Sequence, residues 1–511
     1  MPSSRRFANA AVATIATTGA GLLLWSLNWG VGISPDSVTY LAGADSLARG
    51  HGFAIETSPG RFNPITHYPP LYPLLVSAVL IIGAGSAMAF KILNAVVFAL
   101  NILVVGVTLI RITGGAIWPA VLGSVATLIC FDMMFQHSWL ATDAVFVLVA
   151  MTSLVCLEQF VQSRSRTYFL AAVVLTSLAC LTRYAGFGLV LAQALFVAFL
   201  DRRSPRVERL VRAAILVAGS LLPPALWLLR NHLVGGDLTD RSLSVHVITW
   251  QHVSMALPVL AKWLLPGVLG LAVLYLFRKY LGVRPRPKGI AVDSLEALLL
   301  LYMITYSMFL VTSITFVDAH TPLNGRTLLG LYPCAVILFI SGGHKLCHPI
   351  AGRIGCRALI GLIFLGVGVG YGNESLDYVR YAHANGLGYA SRQWAGSPTI
   401  AALHSYPEPI LVYSNGADLV RVLTRHYAMP IPRLMNPTSR QPNPVIQQQL
   451  AEMRDVLHSQ EAVLVWFRAL ESRRWYLPRE SDLVGALGVR AVRNFDDGVI
   501  YHSPVNSKNI D

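Results

Sequence analysis

The sequence predicts a polytopic α-helical membrane protein with a small α/β domain at its C-terminal end. Three observations carry this. Hydrophobic residues make up 54% of the 511 positions and charged residues 13%. Apolar runs near the ~20 residues needed to cross a bilayer recur along most of the chain. After about Gly372 they give way to short strand-like and helix-like patterns.

The first apolar stretch, 8–33, follows Arg5-Arg6. It is too long for the apolar core of a secretory signal and is expected to remain as a helix. A loop with interfacial helices is expected over 34–86. Further spans are expected near 87–111, 115–135, 139–161, 167–183, 185–200, 209–229, 256–279, 294–316, 327–343 and 356–373, which gives about eleven on the length rule. Residues 1–373 then form the membrane domain and 374–511 a domain outside it. In the latter, Ile410–Ser414 and Ala462–Phe467 read as strands, and Asn415-Gly416-Ala417-Asp418 starts a helix to about His426. Pro-rich 429–444 reads as a loop and Glu480–Leu487 as a short helix. Val489–Arg493 and Val499–His502 read as strands joined by a turn at Asp496-Asp497-Gly498. Asn415-Gly416 fits a strand-to-helix turn better than a phosphate cradle.

Lys and Arg number 40 against 26 Asp and Glu, a net charge of +14. The excess clusters at Arg5-Arg6, Arg164 and Arg166, Arg202 to Arg212, Arg278 to Lys288 and Lys345 to Arg357. With eleven spans all these clusters fall on one side, the pattern of cytoplasmic loops, and no nucleic-acid partner is required. The N-terminus is then cytoplasmic and the C-terminal domain lies on the other, outer side. The six Cys lie in or beside apolar segments, so no disulfide framework is expected. His344, Cys347, His348 and Cys356 share a loop at a spacing unlike zinc sites, and no metal or other cofactor is expected.

The outer loops collect Asp36, Asp45, Glu56, His67, Tyr68, Asp132, His137, Asp143, Arg183, Tyr184, Arg230, Asn231, Asp237, Asp240, Arg241, Asp318, His320, Asn324 and Arg326. Ser34-Pro35-Asp36 reads as a helix start, with Ser34 as cap and Asp36 favoured by the helix dipole. The same carboxylate, at headgroup level, is placed to act as a general base. Tyr40 lies one helical turn on, on the same face. His67 and Tyr68 precede a Pro-Pro turn and read either as phosphate donors or as interfacial rings. Arg183 with Tyr184, Arg230 with Asn231, and Asn324 with Arg326 sit at span ends. Each Arg alone is explained by snorkelling, but three on the side where positive charge is scarce suggest a phosphate site. Asp143 is placed to pair with one of them or to orient an acceptor. A base, several phosphate binders and a membrane-level position suit group transfer from a lipid phosphate. No nucleotide-binding fingerprint is present.

Pro35-Asp36-Ser37-x-x-Tyr40-Leu41, Gly50-x-Gly52-Phe53 and Tyr68-Pro69-Pro70-Leu71-Tyr72-Pro73-Leu74 resemble the GT-C superfamily of membrane glycosyltransferases. The likeness is nearest to the family holding protein O-mannosyltransferases and the lipid A aminoarabinose transferase, family 39. Leu181-Thr182-Arg183-Tyr184, Trp227-x-x-Arg230-Asn231 and Asn324-Gly325-Arg326-x-Leu328-Leu329 also resemble its bacterial members. The resemblance implies an inverting transferase that uses a polyprenyl-phosphate sugar on the periplasmic or luminal face, with Asp36 as base. The acceptor would be a lipid, glycan or protein. Ser37 stands where protein O-mannosyl relatives have a second acid, and His67-Tyr68 stand where relatives often carry a charged residue. Both departures argue against assuming protein mannosylation. The competing readings are a secondary transporter or lipid-linked sugar flippase, and an inactive scaffold of the same fold.

Overall fold

The structure, a computed structural model, describes residues 2–82, 87–201, 203–235, 238–239, 245–280, 293–347, 354–406, 409–424, 426–437, 440–459 and 462–504. Asp237, Asp240, Arg241 and His348 lie outside the described residues, as does the side chain of Cys356.

The chain begins with α1 (Pro2–Ser26), then α2 (Pro35–Ala48). The first helix stops at Ser26 rather than near residue 33, because the chain turns through Gly30 at φ +117°. Pro35 and the Ser34 cap then start α2, as the sequence indicates. The expected loop over 34–86 also holds a hairpin, β1 (Ala54–Ser58) with β2 (Arg61–Pro64), and α3 (Leu71–Ile81). Gly60 at φ +72° makes the hairpin turn.

The helical body continues with α4 (Ala87–Ile112), α5 (Ile117–Leu128), α6 (Phe131–His137), α7 (Thr142–Ser163), α8 (Arg166–Thr182), α9 (Gly186–Leu195), α10 (Arg206–Gly235), α11 (Trp250–Tyr280), α12 (Ser294–Phe316), α13 (Tyr332–Cys347) and α14 (Ile354–Asn385). Among the described residues, seven helices are long and apolar enough to cross a membrane, or eight if the bent pair α5–α6 is one span. The count of eleven also took in α8 and α9, which are shorter apolar helices, and the start of α14, which runs on past residue 373 to Asn385. The expected span 115–135 is broken by 59° between α5 and α6. Outside donors take the carbonyls near the break: Tyr332 donates to Ala126 O at 2.8 Å and Ser375 to Ile129 O at 2.7 Å.

Charge separates the two ends of this body. α7 places Asp143 in its first turn and Arg164 at its C-terminal cap, about 32 Å apart at ~1.5 Å per residue. At the Arg164 end, Arg164 grips Asp201 through both carboxylate oxygens at 2.5 and 2.7 Å, and Lys345 pairs with Glu296 at 2.7 Å. The other end carries Asp36 and the loops around it.

The C-terminal domain holds α15 (Arg392–Ala395), α16 (Pro398–Leu403), β3 (Leu411–Ser414), α17 (Ala417–Leu423), β4 (Tyr427–Pro430), α18 (Ile446–Ser459), β5 (Ala462–Phe467), α19 (Glu480–Leu487), β6 (Arg490–Asn494) and β7 (Gly498–His502). The sheet order is β4-β3-β5-β7-β6, parallel across β4-β3-β5 and antiparallel across β5-β7-β6. The helix after β3 ends at Leu423, three residues before His426, and β4 follows, so the stretch 429–444 starts as strand. Asn415 staples β3 to β5: its amide donates to Phe467 O and accepts from Phe467 N, both at 2.8 Å. That use explains Asn415-Gly416 without a phosphate.

α2 is held between the two parts. Gly32 N donates to Ser138 O at 2.8 Å and Leu140 N to Gly32 O at 2.9 Å, which ties the start of α2 to the start of α7. Tyr389 N donates to Ile33 O at 2.9 Å, and Val38 packs into the core of the C-terminal domain with Val412, Leu419 and Val420.

Candidate active site

Two helix N-termini meet at the site. Ser34 caps α2 and, with Ser37, closes a capping box that offsets orphan backbone donors, a contribution of about 1 kcal/mol. Ser37 Oγ also donates to Leu140 O at 2.7 Å, just ahead of α7. The first turns of α2 and α7 therefore sit together, and each carries a carboxylate where the helix dipole favours one: Asp36 and Asp143.

A single guanidinium joins them. Arg326 Nη2 donates to Asp36 Oδ2 at 2.8 Å and Arg326 Nε to Asp143 Oδ2 at 3.2 Å. The other oxygen of Asp143 accepts from Arg183. The other oxygen of Asp36 accepts from the Tyr68 hydroxyl at 2.8 Å. Asp143 is 2% exposed, so two Arg partners offset the cost of burying its charge. The Asp36 and Arg326 side chains are 31% and 36% exposed, so this end of the network is open to a ligand.

Burial alone would raise the Asp36 carboxyl. The charge and hydrogen bond of Arg326, helped by Tyr68 and His67, outweigh it and hold the group below its ordinary value. Burial pushes the Tyr68 phenol far up and the Asp36 charge adds to this, so Tyr68 acts as a donor. Burial would lower Arg326, but Asp36 raises it further and it stays charged.

The remaining candidates fall into two groups. Tyr40 is 2% exposed; its ring meets those of Tyr68 at 4.9 Å and Tyr72 at 5.4 Å, edge to face. It packs against the rings of Tyr68 and Tyr72, which buries its aromatic area. His67 lies edge-on to Tyr68 at 4.7 Å, beside the carboxylate. Asn324 shapes the loop: its Oδ1 accepts from Arg326 N at 3.1 Å and Thr327 N at 3.3 Å. Tyr184 stacks on Phe187 at 6.2 Å.

Arg230 and Asn231 are engaged elsewhere. Arg230 donates to Ile65 O at 2.8 Å and Phe53 O at 3.2 Å and lies over the Trp227 ring at 4.9 Å. Asn231 donates to Thr66 O at 3.0 Å and Leu238 O at 3.1 Å. This pair clamps the first-loop hairpin, so of the three expected Arg forks only Arg183 and Arg326 converge.

Three residues gain a supporting role that the sequence does not announce, although Asp132 and Ser37 are both named in it. The Tyr306 hydroxyl donates to Thr327 O at 2.7 Å, fixing the loop next to Arg326; its only sequence signal is a Tyr at helical spacing from Tyr302. Asp132 accepts from Trp263 Nε1 at 3.1 Å and packs where a Cβ on Gly325 would stand. Ser37 tethers α2 to the approach of α7. Among the described residues, no group of three or more His, Cys, Asp or Glu is placed to hold a metal ion.

No model of a known protein family matches the chain, and no curated protein sequence matches it. Solved structures do. ArnT from Cupriavidus metallidurans bound to undecaprenyl phosphate aligns with a TM-score of 0.62 at 15% identity, covering 96% of this chain and 97% of that one. The apo form of the same ArnT gives a TM-score of 0.61 at 16% identity, covering 96% and 98%. The S. cerevisiae protein O-mannosyltransferase Pmt1-Pmt2 complex bound to the sugar donor gives 0.35 at 18% identity over 45% of this chain and 34% of that one. From its helical body through its C-terminal sheet, the chain shares the fold of ArnT.

Proposed function

We propose that this protein is an inverting glycosyltransferase that moves a sugar from a polyprenyl-phosphate donor to a lipid, glycan or protein acceptor, with Asp36 as general base. The observation that carries the reading is the Asp36 carboxylate, held ionised by Arg326 and Tyr68 beside a second Arg–carboxylate pair. The ArnT structure that shares the fold was obtained with undecaprenyl phosphate, which supports a donor of that class. The concentration of basic residues at the opposite end of the helices supports an outer-face site, with the C-terminal domain outside the cytoplasm.

In this reading the acceptor hydroxyl is hydrogen-bonded to Asp36 and attacks the anomeric carbon. As the new C–O bond forms, the bond to the phosphate oxygen breaks with its electron pair, and the hydroxyl proton passes to Asp36. The departing phosphate gains charge, which Arg326 and Arg183 are positioned to meet. Arg326 then has a second role. A donor phosphate competes with Asp36 for the same fork, and each hydrogen bond Arg326 gives to phosphate weakens the hold that keeps Asp36 acidic. Binding of the donor thus makes the base more basic when it is needed.

The test is transfer from a radiolabelled polyprenyl-phosphate sugar by the protein in proteoliposomes. Asp36→Asn is expected to lower the rate by about 10²–10⁴-fold, the range for loss of a positioned base. Unchanged transfer would remove Asp36 from that role, and uptake of sugar without product would favour transport.

A further inference from the structure

A polar cleft of about 320 Å³ opens where the C-terminal domain meets α2 and the β1–β2 hairpin. That is the volume of on the order of ten waters, enough for a small ligand and too little for a folded partner. Its lining includes Asp45 of α2 and Arg49 at that helix's C-terminal cap, Glu56 and Phe62 of the hairpin, and His426 and Tyr427 of the C-terminal domain. Asp45 follows Asp36 along α2 by about 13 Å and, at ~100° per residue, points to the opposite side of the helix. The cleft is therefore separate from the Asp36 network.

Its walls are fixed in advance. Arg421 donates to Glu56 O at 2.6 Å and to Ala428 O at 2.8 Å, locking the hairpin to β4. The charges balance, two acids against Arg49 and Arg421, and Asp45 and Arg49 form a parallel fork at 3.1 Å. Nothing here selects an ion. The cleft offers planar donors and acceptors together with two aromatic rings, Phe62 being braced from behind by His51 at 4.3 Å.

We infer that this cleft is a carbohydrate-binding site that takes a short neutral glycan. Planar side chains pair with ring hydroxyls through two hydrogen bonds at once, while aromatic faces cover the apolar C–H face of a sugar. The site lies across α2 from the base, so it tethers a glycan-bearing molecule and does not present the reacting hydroxyl. Binding stands independently of the transferase reading; only the kinetic consequence rests on it. If the acceptor is the tethered molecule, local concentration rises and the acceptor KM falls with kcat unchanged.

The experiment is saturation-transfer NMR on the full-length protein in nanodiscs, with neutral di- to tetrasaccharides and inorganic phosphate as probes. The wild type and Asp36→Asn are expected to bind at least one saccharide alike. Arg49→Ala, whose side chain is 62% exposed and so removable without unfolding, and Tyr427→Ala are each expected to weaken it about tenfold. No saccharide binding, binding indifferent to both variants, or a site that takes only phosphate would each overturn the inference. A wild type that binds saccharide but transfers no sugar would count against the transferase reading alone.

Discussion

Arg326 holds Asp36 at 2.8 Å, so the candidate base meets its substrates already ion-paired. The same guanidinium reaches Asp143, and Asp143 is shared with Arg183. One Arg thus sets the charge state of one carboxylate while being oriented by another. The chemistry of the site depends on how that Arg divides itself.

The first consequence is a pH dependence. The ordinary value for the Asp36 carboxyl is 3.8, and the folded value lies below it. A depressed acid is ionised at neutral pH, and the stability from its pairing is complete above about pH 4 and drains away as pH falls through the folded value. The acid limb of kcat/KM should therefore lie below pH 4. In Arg326→Gln burial is opposed only by the Tyr68 bond and His67, and the limb should move to higher pH. The profile of the residual activity, not its size, is the readout; a limb that stays in place would show that Arg326 does not set the acidity of Asp36.

Arg230 should behave as a structural residue. Its guanidinium is committed to the carbonyls of Phe53 and Ile65. Arg230→Ala should cost about 1.5–3 kcal/mol, the range for hydrogen bonds to a charged group. It should also speed proteolysis within residues 53–66 while leaving lipid-phosphate affinity within about twofold. Lipid-phosphate affinity that falls with no change in proteolysis would instead return Arg230 to the donor site.

Gly325 should be intolerant of any side chain. A Cβ there would run into the Asp132 carboxylate and displace the residue before Arg326. Gly325→Ala should lower transfer by about 10²-fold, as a misplacement on the order of 1 Å does. Shortening the obstacle with Asp132→Ala in the same chain should restore part of it. A double variant no better than the single one would show that the collision is not the cause.

These cases show what could be read from the residues. Asp36 was legible because Ser34-Pro35 marks a helix start at a membrane edge, and Asp143 and Arg183 because each interrupts an apolar run. Arg230 carries the same local signal as Arg183. Only tertiary structure separates them, since the carbonyls that Arg230 serves flank a hairpin over 150 residues away. The hairpin carries no such signal, because β1 and β2 are short, half-exposed and lack an apolar alternation. The break in the span 115–135 leaves no Pro at the bend to announce it. Tyr306 was hidden because an aromatic in an apolar span reads as packing until its hydroxyl finds a carbonyl.

Ser37 offers a check on why a hydroxyl stands beside the base. It closes the cap of α2 and holds Leu140. Ser37→Ala should lower stability by about 0.5–2 kcal/mol and reduce kcat more than donor affinity, because it loosens the alignment of α2 with α7 without touching a ligand. Thermal melts with paired turnover and binding measurements would expose a Ser37 that instead contacts substrate, through a KM change larger than the kcat change.

The central claim is that Asp36 takes the proton from the acceptor while the cations nearby hold the donor phosphate. The measurement that tests it most directly is single-turnover sugar transfer by Asp36→Asn, with donor lipid binding determined on the same preparation. The account predicts binding at or above the wild-type level, since Arg326 is freed from its carboxylate, and transfer slowed by about 10²-fold or more. Transfer at the wild-type rate with the donor bound as before would contradict it.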